Sequence, residues 1–193
     1  MASTPTKIGV LALQGDFDAH RKRLEELGAE VVLVKKPEQF DEIAALIIPG
    51  GESTTFLKLL GDDGVKKLRE FVQVKPTFGT CAGAILLARD VLNPPQRGLG
   101  VLNVSIRRNA YGRQLDSHIV SEPTKLGGDP LEMVFIRAPK FEDLGPAVEV
   151  LAREGNDPVL VRDKHVLAAT FHPELSEDMR VHEYFLKQVV GDP

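Results

Sequence analysis

The sequence predicts an α/β fold: an open, mainly parallel sheet held as a three-layer sandwich between helices, with antiparallel additions. Three observations lead there. Residues 8–13, 30–34 and 44–48 are short apolar runs that stop at turns, and strands covered on both faces read as continuous apolar stretches rather than alternating ones. A helical stretch separates the first two runs and further helical pieces follow the third, which puts the crossovers on the faces of the sheet. Beyond Asn93-Pro94-Pro95 the texture changes to strand-like pieces joined by short polar turns, the pattern of hairpin additions.

In order, residues 8–13 form the first strand and end at Gln14-Gly15. Asp16 is placed to cap a helix that runs to Leu27 and ends at Gly28. Residues 30–34 are β-branched and make the second strand. Residues 37–42 connect it to the third, 44–48, which closes on Pro49-Gly50-Gly51-Glu52-Ser53-Thr54. Two helical pieces, 55–60 and 65–72, are divided by Gly61 and Gly64. Residues 76–78 lead into Gly79-Thr80-Cys81-Ala82-Gly83, and 84–89 have helical character. The later strand-like pieces are 100–106, 115–121, 131–137, 148–153, 158–162 and 165–170, and 178–190 is the closing helix. No linker separates the halves, so residues 1–193 read as a single domain.

That length supports a substantial core. A formal net charge of −4 argues against nucleic acid or a membrane surface as the main partner. One cysteine permits no internal disulfide, and residues 1–7 carry no apolar signal core, so the expectation is a cytoplasmic protein.

The one cysteine sits in an unusual place. Gly79-Thr80-Cys81-Ala82-Gly83 stands between a strand and a helix, with a glycine two residues to either side. A tight turn of this kind pushes its apical side chain out over the sheet end, and a Cβ at either glycine would crowd it. The helix N-terminus then favours the thiolate. A lone cysteine is also a common buried hydrophobe, so the pentapeptide alone does not decide.

A nucleophilic thiol needs a base. His20 and His182 lie on helices and read as solvated, while His118 and His165 lie in strand or hairpin contexts and read as structural. His172 follows the apolar run 166–171 and begins His172-Pro173-Glu174. Proline keeps such a segment extended, so side chains two apart point the same way and Glu174 can orient the imidazole. Pro49-Gly50-Gly51 is ordinary turn chemistry by itself; beside a nucleophile, the Gly51 and Ala82 amides would make an oxyanion hole. No Gly-Lys-Ser/Thr follows, so the segment is not a phosphate loop. No third or fourth ligand stands at metal-binding spacing near Cys81 or His172, and neither a metal nor a cofactor is expected.

The cysteine turn together with His172-Pro173-Glu174 resembles the class I, triad-type glutamine amidotransferases, whose fold is flavodoxin-like. Within them, the blocks 11–15, 49–55, 108–114, 135–139 and 171–175 are similar to the glutaminase subunits of pyridoxal 5′-phosphate synthase. The generic amidotransferase turn continues with a glutamine shortly after its second glycine. Here Ala84-Ile85-Leu86 stands instead, as in the vitamin-pathway branch. The resemblance implies that Cys81 attacks the side-chain amide of L-glutamine, with His172 moving the proton and Glu174 holding His172. It implies that Gly51, Glu52, Ser53, Arg108, Ile136 and Arg137 line the glutamine site. It places Gln14 beside the oxyanion loop, Gly50–Gly51, at the contact with a barrel-shaped synthase subunit in a hetero-oligomer, which receives the ammonia. Arg108 and Arg137 suit a carboxylate through their forked donors, although a surface ion pair would use them equally well. A cysteine peptidase or deglycase-like protein fits the turn but not the late His-Pro-Glu. A non-catalytic regulatory subunit would have no chemical reason to keep all three residues.

Overall fold

The computed structural model describes residues 6–110 and 117–191. Tyr111 to Gln114 of the blocks quoted above, and the start of the strand expected at 115–121, lie outside the described residues. In chain order the strands are β1 (Lys7–Leu11), β2 (Glu30–Val34), β3 (Ala45–Ile48), β4 (Thr77–Thr80), β5 (Ala88–Leu92), β6 (Leu102–Arg107), β7 (Ser117–Glu122), β8 (Leu131–Ile136), β9 (Lys140–Leu144), β10 (Glu149–Glu154), β11 (Asp157–Asp163) and β12 (Val166–Ala169). The helices are α1 (Phe17–Glu26), α2 (Ser53–Val74), α3 (Ala82–Leu87) and α4 (Arg180–Tyr184).

The main sheet has the order β10-β11-β12-β4-β3-β1-β2. From β12 to β2 every neighbour is parallel. The apolar runs explain this arrangement. In β3 every residue is fully buried, with Leu46 and Ile48 in one core and Ala45 and Ile47 in the other. The first core takes Phe56, Leu68 and Val72 of α2 and Ile85 and Leu86 of α3. The second takes Leu24 of α1, Val181 of α4 and Phe185 beyond it. Each large side chain buried this way contributes roughly 1.5–3 kcal/mol, so the two layers are held by the sheet rather than by each other. No helix among the described residues is long and apolar enough to cross a membrane.

Several expectations are corrected. Only β10 and β11 extend the main sheet in antiparallel fashion, through β12. β5-β6-β9 form a separate sheet and β7-β8 a separate hairpin. Met133 and Phe135 are buried on β8 while Glu132 and Ile136 are exposed, so that hairpin lies on the core as a helix would. Arg89 belongs to β5, not to the preceding helix; its guanidinium donates to Asp90 of the same strand, to Asn103 and Ser105 on β6 and to Asp143 on β9. Asp16 makes no side-chain cap on α1. The two pieces expected at 55–60 and 65–72 are joined through α2, with a break where Gly61 stands at φ 65°. The closing helix continues from α4 as a π-helix over Phe185–Val190.

Candidate active site

The carboxyl ends of β1, β3, β4 and β12 converge, and the expected site residues gather there. Cys81 follows β4 with φ 47° and ψ −103°, a left-handed conformation that costs a non-glycine residue on the order of 1–3 kcal/mol. Its neighbours allow it. A Cβ on Gly79 would lie 2.6 Å from the Gly83 carbonyl carbon, and one on Gly83 would lie 2.0 Å from the Ile48 carbonyl oxygen. Both glycines are therefore required by close backbone approach. The Cys81 amide donates to the Ala169 carbonyl of β12 at 2.8 Å, which fixes the turn against the strand that delivers the base.

His172 donates its backbone amide to Val134 on β8 at 2.8 Å. Its Nδ1 lies 2.7 Å from Glu174 Oε1, leaving Nε2 for the thiol. The sequence reading anticipated this pair but not its route: Pro173–Leu175 is a 3₁₀ turn, not an extended segment. Burial works against charge on His172, yet hydrogen bonding to Cys81 and Glu174 outweighs it and pushes the imidazole up to about 10. Burial raises the Glu174 carboxyl, and its hydrogen bond to His172 opposes that. A Cβ on Gly50 would stand 2.5 Å from His172 Cε1, so Gly50 makes room for the imidazole. Since α3 has only six residues, its dipole is short, and the His172 ring is the ionisable group that hydrogen-bonds the sulfur.

The thiol opens into a cavity of about 220 Å³. Gly51, Glu52, Ser53, Arg108, Ile136 and Arg137 all line it with Cys81 and His172. Gly51, at φ 139°, faces the Gln14 side chain, whose amide donates to the Glu52 carbonyl at 2.9 Å and accepts from the Glu52 amide at 3.3 Å. Ala82 is buried at the start of α3. Arg108 Nη2 donates to Glu52 Oε1 at 3.1 Å, so the ion pair weighed in the sequence does form, and it forms inside the cavity. Of the five non-glycine residues with positive φ among those described, Cys81, Asn109 and Arg137 line this one cavity. Strain is concentrated at the mouth.

Sequence reasoning missed several residues. Asp16, Ile85, Asn109 and Pro139 also line the cavity, and Asp16 carried a signal, standing just past the end of β1. The reading of His20 and His182 as solvated is wrong: both are fully buried. Their ring nitrogens meet at 2.9 Å, and His20 Nε2 lies 3.1 Å from Thr80 Oγ1 and 3.3 Å from Glu174 Oε2. Helical spacing held the clue. His20 stands one turn before buried Leu24, and His182 falls in step with buried Phe185 and Val189. His118 lies 2.6 Å from Glu154, and His165 3.0 Å from the Val72 carbonyl, in keeping with structural roles.

The fold also brings Asp16 within 4.0 Å of His172 Nδ1, so Asp16, His172 and Glu174 offer three donor atoms within 4.8 Å of one another. Nδ1 is already committed to Glu174 at 2.7 Å, and this favours a hydrogen-bonded triad over a cation site. A wider cleft of about 340 Å³ lies at the opposite end, between Ile8, Leu27, Leu186 and Val190. It sits at the amino ends of β1 and β2, away from the end where open parallel sheets place their chemistry.

This fold, with a cysteine turn and a His-Glu pair at the carboxyl end of the sheet, is that of the glutamine amidotransferases. A crystal structure described as a glutamine amidotransferase superposes with a TM-score of 0.86 and 49% identity, covering 93% of this chain and 97% of that one. The structure of PurLQS from Thermotoga maritima shares the fold alone, with a TM-score of 0.68 at 13% identity over 95% of this chain and 98% of that one. Residues 10–191 match the SNO glutamine amidotransferase family, and the chain belongs to it. Pyridoxal 5′-phosphate synthase subunit PdxT of Koribacter versatilis is 65% identical over 95% of both chains. The protein of the same name from Thermotoga maritima is 49% identical over 95% of this chain and 99% of its own.

Proposed function

We propose that this amidotransferase is the glutaminase subunit of a pyridoxal 5′-phosphate synthase, with Cys81, His172 and Glu174 as its triad. Cys81 Sγ attacks the side-chain amide carbon of L-glutamine. The oxyanion is met by the Gly51 and Ala82 amides. His172 gives its proton to the departing nitrogen, ammonia leaves, and a glutamyl thioester remains. Water, deprotonated by His172, then hydrolyses the thioester to glutamate. Arg108 and Arg137 take the substrate α-carboxylate, which requires that Glu52 release Arg108. Gly51, Ser53 and Ile136 shape the rest of the pocket. Gln14 braces the oxyanion loop where a barrel-shaped synthase subunit docks in the hetero-oligomer and receives the ammonia. Residues 1–193 act as one amidotransferase domain in the cytoplasm.

The observation that carries this reading is the convergence of the cysteine turn, the 2.7 Å His172–Glu174 contact and two arginines on one cavity. The relatives named as synthase subunits support the choice of pathway. Ammonia release from L-glutamine, measured with and without the synthase subunit, tests it; the expected result is strong stimulation by the partner. No ammonia from the complex, and no adduct on Cys81 from an electrophilic glutamine analogue, would remove the assignment.

A further inference from the structure

We propose that His20 is a positioning residue of the triad, holding the far oxygen of Glu174 while His182 holds His20. The triad uses Glu174 Oε1, which meets His172 at 2.7 Å. Oε2 is buried and has no hydrogen-bond partner among the described residues; His20 Nε2 is the ring nitrogen beside it, 3.3 Å away, near enough to donate after a small turn of the carboxylate. The proton on His20 can be placed by elimination. His182 Nδ1 is buried without a partner, and a bare ring nitrogen is cheaper to leave there than an N–H. His182 therefore carries its proton on Nε2 and donates it to His20 Nδ1 across 2.9 Å. His20, accepting at Nδ1, keeps its own proton on Nε2, aimed at Thr80 Oγ1 at 3.1 Å with Glu174 Oε2 beside it at 3.3 Å. The opposite tautomer would set a lone pair against a carboxylate.

Four separate elements meet in this relay: α1 supplies His20, β4 Thr80, the 3₁₀ turn Glu174 and α4 His182. A carboxylate held by one oxygen can swing about its last bond; held by both, it fixes the plane of the imidazole it orients. The other charged or titratable groups around Glu174 are His172 on its own turn and Asp16 on the β1–α1 loop, while Arg23 of α1 acts on His182. Burial, with His182 and His172 nearby, keeps the charge on His20 well below the usual imidazole range, so His20 acts as a neutral donor.

The test is built so that it stands apart from the glutaminase reading, on which only its kinetic readout rests. Cys81 is the sole cysteine of the chain, so intact mass after iodoacetamide treatment reports its reactivity alone. In the full-length chain, His20→Leu is expected to slow alkylation below pH 7 on the order of tenfold, the loss of a hydrogen bond to a charged group. His20→Gln, whose amide N–H reaches the position of Nε2, is expected to restore the rate to within about threefold. With the synthase subunit and glutamine, kcat should fall with the alkylation rate while KM stays within about twofold. A folded His20→Leu chain with the wild-type alkylation profile would overturn the proposal. So would a His20→Gln chain as impaired as His20→Leu, since that is the mark of packing alone. Where His20→Leu does not fold, His182→Phe keeps His20 but frees its tautomer; an unchanged profile there is equally fatal, and a roughly threefold loss supports the relay.

Discussion

His172 and His182 are both buried imidazoles, and they stand at opposite ends of one chain of contacts. Burial opposes charge on each. On His172 that effect is overcome by Cys81 and Glu174, and the ring is pushed up to about 10. On His182 burial is joined by Arg23 and the ring falls to about 3. In this protein burial alone leaves an imidazole neutral, as on His182, and only bonded partners overturn it, as on His172. Hydrogen bonds to Cys81 and Glu174 make one ring an acid; burial, with Arg23 nearby, leaves the other a neutral strut.

The largest effect should come from exchanging the two rings' roles for inert ones. His172→Ala, like Cys81→Ser, is expected to lower glutaminase kcat in the complex by about 10³-fold or more, as for any group whose loss dismantles a triad. His182→Phe should cost only a few-fold; equal losses would erase the contrast. Next, Glu174→Gln leaves the shape but removes the anion. Ammonia release should fall on the order of 10²-fold, and Cys81 alkylation should slow with it. Activity within twofold of wild type would deny Glu174 its role. A third experiment asks whether an exposed charge obeys the same rule. Arg137 stands at φ 45° on the cavity rim, and Arg137→Leu should raise KM for glutamine about tenfold with kcat little changed, since a carboxylate bond is lost equally from ground and transition states.

The remaining effect is on stability, and its sign differs between the rings. An imidazole in the unfolded chain titrates near 6.5. His182, at about 3 when folded, leaves the unfolded state with the extra proton between those values. Stability is therefore complete above pH 6.5 and is lost as the pH falls toward 3. His172, at about 10 when folded, gives the native state the extra proton. Its contribution is complete below pH 6.5 and is lost as the pH rises through 10. Each slope is roughly 1 kcal/mol per pH unit. Denaturant unfolding across pH should show the acid limb flattened by His182→Phe and the alkaline limb by His172→Ala. The reverse pattern would mean the two assignments are exchanged.

Much of the site was legible because its residues are locally odd. A cysteine between two glycines at a strand end and a His-Pro-Glu after another strand stand out without any partner in view, and the structure brings both to one cavity. The relay behind them was not legible. His20 and His182 lie on helices whose outer faces are charged; helical spacing hints that both rings face inward, but only the fold reveals that they meet each other. The parallel core was legible from its apolar runs; the small sheet beside it was not. β9 reads Lys-Phe-Glu-Asp-Leu with only Phe141 buried, a strand defined by its neighbours rather than by its own pattern. Arg89 continued a helical stretch until the acids of β5 and β9 claimed it.

The pairing of Thr80 with Ala169 joins neighbours separated by most of the carboxyl-terminal half. The ribosome makes the thiol first, and the strand that leads to His172 is translated only after a long intervening stretch. A nascent chain that ends before Val166 has neither imidazole nor carboxylate to arm the sulfur. On the proposed triad, the thiol and the pair that would serve it meet only when β12 lies between β11 and β4.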